Sequence, residues 1–142
     1  MFTGEFRHAI DGKGRLAVPA RFRMELSGGA HVSRWIDGCL AIFPNQAWER
    51  LAERVNSLPY SDAGARAFSR FLFSGAYDVE LDGQGRVVLP QMLREFAGLE
   101  SDAAVVGARD RIELWEPIRW STYSAEMNSA DSFAARIADL GI

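Results

Sequence analysis

Phe6-Arg-His-Ala-Ile-Asp-Gly-Lys-Gly-Arg-Leu-Ala-Val-Pro19 and Tyr77-Asp-Val-Glu-Leu-Asp-Gly-Gln-Gly-Arg-Val-Val-Leu-Pro90 are two versions of one motif. Asp11, Gly12, Gly14, Arg15 and Pro19 meet Asp82, Gly83, Gly85, Arg86 and Pro90 at a constant offset of 71 residues, and Arg23 meets Arg94 at the same spacing. Farther along, the stretch from Asp37 to Pro44 meets that from Asp110 to Pro117 at an offset of 73, so the second copy carries a two-residue insertion. Self-similarity on this scale is the mark of a duplicated supersecondary unit. The chain reads as two homologous halves.

Each half follows one plan. A strand (residues 4–10, then 76–81) runs into Asp-Gly-x-Gly, a tight-turn signal in which glycine accepts positive φ. A short apolar strand follows (16–18 and 87–89), and proline then opens a helix, where its missing N–H costs nothing. The first helix is expected to reach about Ser27 and the second to run over 90–97, with Gly98 as its C-cap. Hairpins come next: 31–36 with 39–43 through Asp37-Gly38, and 103–108 with 111–115 through Arg109-Asp110. Between the halves, Trp48, Leu51, Val55 and Leu58 form one apolar stripe on a helix over 45–58. Asp62 is placed to cap a further helix with Ala65, Phe68, Phe71 and Leu72 on its apolar face. The expected organisation is a first repeat with its helix over 1–58, a connecting helix over 59–75, a second repeat over 76–123, and a helical tail over 124–142. That tail is broken near Asn128 and has a weak apolar edge of Phe133, Ile137 and Leu140.

The net charge of −3 argues at first against a nucleic-acid partner. The average hides an asymmetry. From Glu100 onward eight acids face four arginines, whereas Arg7, Lys13, Arg15, Arg21 and Arg23 face only Asp11 between residues 6 and 23. A local balance of +4 suits phosphate. Cys39 is the lone cysteine of the 142 residues, so no internal disulfide can form, which suits a reducing compartment. The first residues lack the basic-then-apolar pattern of a signal peptide, and no apolar run approaches the ~20 residues of a spanning helix. A cytoplasmic, nucleoid-associated protein is expected, with no membrane partner.

The chemistry lies in Asp-x-x-x-Arg, present as Asp11…Arg15 and Asp82…Arg86 around Gly-x-Gly. An aspartate there can accept backbone N–H bonds of the turn and orient the arginine by a charge-assisted bond. A guanidinium held at a hairpin tip can bridge phosphates or take guanine O6 and N7 together. The plain alternative is an ion pair that only staples the hairpin. Other motifs are weaker. Gly12-Lys-Gly14-Arg-Leu-Ala17 fits a dinucleotide-binding fingerprint, but that fingerprint must open a helix and Leu16-Ala-Val-Pro19 reads as a strand. His8, His31 and Cys39 are too scattered for a catalytic or metal site, and no hydrolase, zinc or Walker signature occurs. No enzyme activity, cofactor, metal or small-molecule substrate is expected. The four tryptophans read as core or interface packing.

Gly4-Glu-Phe, Asp11-x-Lys-Gly-Arg15, Pro19-Ala-Arg-Phe-Arg23, Arg70-Phe-Leu-Phe-Ser-Gly-Ala76, Leu81-Asp-Gly-Gln-Gly-Arg86 and Arg111-Ile-Glu-Leu-Trp115 together resemble the MraZ family over about residues 1–123. The resemblance implies an α+β fold of two tandem AbrB-like (SpoVT-AbrB) swapped-hairpin units forming an internal pseudo-dimer. It implies ring-shaped homo-oligomers that bind double-stranded DNA at short direct repeats upstream of the division and cell-wall gene cluster, usually as a repressor. The family's DNA-contacting loops fall on Lys13, Arg15 and Arg86. The basic segment adds Arg7, Arg21 and Arg23, and Gln84 stands where the second loop lacks a cation. Asp11, Gly12, Gly14, Asp82, Gly83 and Gly85 organise the loops. Two rivals share the fold: an antitoxin-type interaction module with a partner-binding tail, and a nucleoid-architectural protein without sequence preference.

Overall fold

A computed structural model describes residues 1–142. The first half contributes β1 (Glu5–Ala9), β2 (Arg15–Ala17), β3 (Ala30–Arg34), β4 (Leu40–Pro44) and α1 (Asn45–Asn56). After α2 (Ala63–Ser74), the second half contributes β5 (Tyr77–Val79), β6 (Arg86–Val88), α3 (Gln91–Ala97), β7 (Asp102–Gly107), β8 (Ile112–Trp115) and α4 (Pro117–Met127), with α5 (Ala130–Ile137) at the end.

The halves exchange strands. β1 pairs with β7 of the second half and β5 with β3 of the first, in a six-stranded antiparallel sheet of order β1-β7-β8-β4-β3-β5. β2 and β6 pair with each other as a separate two-stranded ribbon. The registers obey the sequence offsets, because Phe6↔Val105 has its counterpart in Val32↔Tyr77 and Arg15↔Val88 in Ala17↔Arg86. Leu16↔Val87 therefore lies on the pseudo-twofold axis. This is the α+β pseudo-dimer of swapped hairpins that the resemblance implies, and neither half can close its sheet alone.

Burial follows from that exchange. One face of the sheet (Val32, Leu40, Ile42, Val105, Ile112, Leu114) packs on the inner face of the ribbon (Leu16, Val87) and on Phe22, Leu26, Leu93 and Ala97. On the opposite face, Ala41 and Phe43 lie under α1 and α2, while Ala104 and Trp115 lie under α4. β4 is thus buried on both faces, which is why it reads as continuous Leu-Ala-Ile-Phe rather than as an alternation. Asp62 caps α2 by accepting from Ala65 N at 3.1 Å. α2 is pinned to the sheet by Ser33 Oγ donating to Leu72 O and by Arg34 donating to Phe71 O at 2.7 Å.

The structure departs from the sequence reading at several points. The segment after Pro19 is not an α-helix but two 3-10 turns, Ala20–Phe22 and Met24–Leu26. Its bonds run to the third residue back (Leu26 N to Arg23 O, 3.1 Å), whereas in α3 Arg94 N reaches Pro90 O at 3.1 Å. Ser27 Oγ donates to the Met24 carbonyl at 2.7 Å, and Gly28-Gly29 follows, so a fourth-residue bond has a competitor and no propensity behind it. α3 instead ends in a left-handed Gly98. α1 stops at Asn56, leaving Leu58 exposed beyond the stripe. The tail, by contrast, divides at Asn128 into α4 and α5, at the break the sequence marks.

Candidate nucleic-acid interface

The turn between β1 and β2 is built around one carboxylate. Asp11 Oδ1 accepts from the backbone N–H groups of Lys13 and Arg15, both at 2.9 Å, and Oδ2 accepts from Arg15 Nε at 2.6 Å. The Asp11 carbonyl accepts from Gly14 N at 3.0 Å, and Gly14 takes φ +78°, a conformation that strains any residue with a Cβ. The second turn repeats this. Asp82 Oδ1 accepts from Gln84 N at 2.8 Å and Arg86 N at 2.9 Å, and Oδ2 from Arg86 Nε at 2.8 Å, with Gly85 at φ +75°. The backbone N–H of Arg15, followed by its side chain and the N–H of Lys13, draws the Asp11 carboxyl down to about 2. The N–H groups of Arg86 and Gln84, then the Arg86 side chain, lower Asp82 in the same way. Both aspartates are therefore fixed anions throughout the neutral range.

The halves also hold each other's loops. Val18 N donates to Gly85 O at 2.9 Å, and Leu89 N to Gly14 O at 2.8 Å. Arg23 donates through Nε to Val18 O at 2.9 Å and lies under Gly85, while Arg94 donates to Leu89 O at 2.9 Å and lies under Gly14. A Cβ at either glycine would collide with that arginine. The two loops are consequently one rigid unit with Arg15 and Arg86 on the same ribbon. Arg86 Nη1 comes within 3.9 Å of Asp11 Oδ2 as well. For both arginines the Nε–H is committed to aspartate, while the Nη groups take no hydrogen-bond acceptor within the chain.

Not every expected residue joins this unit. Lys13, Arg15, Gln84 and Arg86 share it, with Lys13 and Gln84 exposed at the loop tips. Arg23 supports it from beneath through its bond to a backbone carbonyl. Arg7, on β1, is bonded to Asp102 Oδ2 at 2.7 Å, and Arg21 lies over the Phe6 ring and reaches Thr3 Oγ1. Near the second loop, Asp82 turns inward to Arg86 Nε at 2.8 Å, and Asp78 on β5 lies 2.6 Å from His31 Nε2. Arg94 is the supporting residue that the sequence reading left out of the site, although its offset of 71 from Arg23 was a usable signal. Elsewhere, His31 stacks on Trp48 at 5.0 Å and Cys39 is buried, which pushes its thiol well above the ordinary range. No helix is long and apolar enough to cross a membrane.

A family model described as "MraZ protein, putative antitoxin-like" matches the chain twice, over residues 1–71 and 72–140. Full-length relatives are similar throughout. A protein of Thermomicrobium roseum is 50% identical over 142 residues, covering 99% of each chain. One of Heliobacterium modesticaldum is 45% identical and one of Acetivibrio thermocellus 43% identical, each over 143 residues and the whole of both chains. All three carry the name "Transcriptional regulator MraZ".

Proposed function

The chain belongs to the MraZ family, and from that premise we propose that it is a sequence-specific DNA-binding transcriptional regulator that represses its own operon, the division and cell-wall cluster. The observation that carries this is the pair of arginines, Arg15 and Arg86, each locked to an aspartate through Nε and set on one ribbon with Nη groups that make no hydrogen bond within the chain. Preorganised donors of this kind lose little entropy on meeting a guanine edge or a phosphate. Lys13 adds a mobile point charge for phosphate, and Gln84 a neutral donor. Arg23 and Arg94 act as positioning residues. Arg7 and Arg21 contribute charge to the head segment at a distance from the loops.

One protomer offers few such contacts, so affinity must be multiplied. A closed homo-oligomer that presents several loop pairs to successive direct repeats does so by effective concentration alone. Exposed Leu58, Tyr60 and Phe73 around α1 and α2, and Phe133 and Leu140 on the tail, supply surface for such assembly. The tryptophans do not, because Trp48 and Trp115 are buried and Trp35 and Trp120 pack beside them. Repression then follows from occlusion of the promoter by a protein that works in the cytoplasm at the nucleoid. The repeats over 1–58 and 76–123 are one functional unit joined by residues 59–75, with 124–142 as an appendage.

Footprinting on the DNA upstream of the protein's own gene tests this directly. Protection of short direct repeats, resistant to random competitor DNA, is expected. Protection that competitor removes without preference would favour an architectural protein, and none at all would favour a protein-binding module.

A further inference from the structure

β2 and β6 form a ribbon with one buried and one open face. Leu16 and Val87 are each only 1% exposed and enter the core. The outer face holds Arg15, Ala17, Arg86 and Val88, and Val88 is 55% exposed. Among strand residues, only Tyr77 is another large apolar side chain left so open. The bonds Leu89 N to Gly14 O and Val18 N to Gly85 O place Arg15↔Val88 and Ala17↔Arg86 at the non-hydrogen-bonded sites of the ladder. At such sites opposed Cα atoms are about 4.5 Å apart and their side chains stand together. The outer face is therefore a two-by-two checkerboard: arginines on one diagonal, Val88 and Ala17 on the other.

We infer that this outer face enters the major groove and that Val88 reads the C5 methyl group of a thymine beside the base contacted by Arg15. The inference rests on the DNA-binding reading above and deepens it. A two-stranded ribbon fits the ~12 Å major groove, where guanine presents O6 and N7 to arginine and thymine presents a methyl group to an apolar side chain. Arg15 is held by Asp11, so its Nη groups point from a fixed origin, and Val88, with two branches, is its partner directly across the ribbon. Across the pseudo-twofold, Arg86 is paired instead with Ala17, whose side chain is a single methyl. The ribbon thus reads unequally, methyl plus guanine on one side and guanine alone on the other.

Replacing one thymine at a time by deoxyuridine removes only the methyl group. The probe is a duplex selected from a random pool by the wild-type protein, with affinity measured by anisotropy. Wild-type protein is expected to lose about three- to fivefold at one thymine in each bound repeat, the size of one buried methyl. Val88→Ala, which installs the residue already tolerated at Ala17, should bind both duplexes equally. Ala17→Val should create a second sensitive thymine. If no thymine is sensitive in the wild type, or the same sensitivity survives in Val88→Ala, the inference is overturned while DNA binding stands. If the wild type selects no sequence at all, the DNA-binding reading falls and this inference with it.

Discussion

In the first loop Asp11 holds Lys13 and Arg15, and in the second Asp82 holds Gln84 and Arg86, through the same three bonds and around the same positive-φ glycine. What differs is confined to positions the turn does not use. The exposed tip is a lysine in one loop and a glutamine in the other. The flanking strand carries Arg7 in one half and Asp78 in the other, and the outer ribbon position is Ala17 or Val88. Groups that satisfy backbone donors are thus duplicated unchanged, while groups that face solvent have diverged. A symmetric frame thus presents unequal exposed groups, and unequal tasks for the two loops are the expectation to test.

The largest expected effect of that inequality is on DNA affinity. Arg15→Ala should weaken operator binding roughly ten- to a hundredfold per contact, since a bidentate pair is worth about 1–3 kcal/mol and repetition around an oligomer compounds it. The fold should persist, because Asp11 still accepts from the backbone N–H of residues 13 and 15. Arg86→Ala should cost less, because Arg86 also lies within 3.9 Å of Asp11 and Lys13 has no counterpart beside it. Titrations of both variants at several salt concentrations check this. Equal losses would mean that the two loops share one task.

Next in size is a difference in stability. Gly14→Ala and Gly85→Ala both force a Cβ into positive φ, at roughly 1–2 kcal/mol. At Gly85 the nearest atoms all belong to the Arg23 side chain, which can move. At Gly14 the new Cβ would also sit 2.9 Å from the Leu89 carbonyl oxygen, which is backbone. Urea midpoints are expected to fall for both variants, with Gly14→Ala lower. A reversed order would show that Arg23 is the less replaceable prop.

Much of this frame was legible in the chain itself. The offset of 71 between Asp11 and Asp82, the Gly-x-Gly turns and the two prolines are local signals, and each fixes a local conformation. The pairing of β2 with β6 was not legible without the family resemblance, since Leu16-Ala-Val fits any apolar partner strand and register is a long-range choice. The same limit hid Arg94 and made Arg23 read as a DNA contact rather than a prop, since the bonds of both lie within their own half while their packing is against the other. Counting charge alone placed Arg7 with the loops, but its bond to Asp102 depends on the pairing of β1 with β7.

The tip residues set a subtler contrast. Lys13→Ala should flatten the dependence of log K on log salt by about one unit, as expected when one phosphate contact is lost. Gln84→Ala should leave the slope unchanged, and Gln84→Lys should steepen it by about one unit if the second loop also faces phosphate. A slope indifferent to Gln84→Lys would place that tip against a base edge or a neighbouring protomer instead.

The smallest expected difference is in acid titration. Both carboxylates are lowered by the N–H donors they hold, so each supports its loop fully above the unfolded aspartate value of about 3.8. That support fades only as pH falls through the folded value, which for Asp11 is about 2. Asp11 is also approached by a second guanidinium, that of Arg86, whereas no bridge joins Arg15 to Asp82. Amide shifts of Gln84 and Arg86 should therefore move before those of Lys13 and Arg15 as the pH is lowered from 6 to 2, and none should move above about 5. NMR titration of the intact protein reads both. Simultaneous movement would mean that the cross-loop contact adds nothing in solution, and the two aspartates would then be equivalent anchors of their loops.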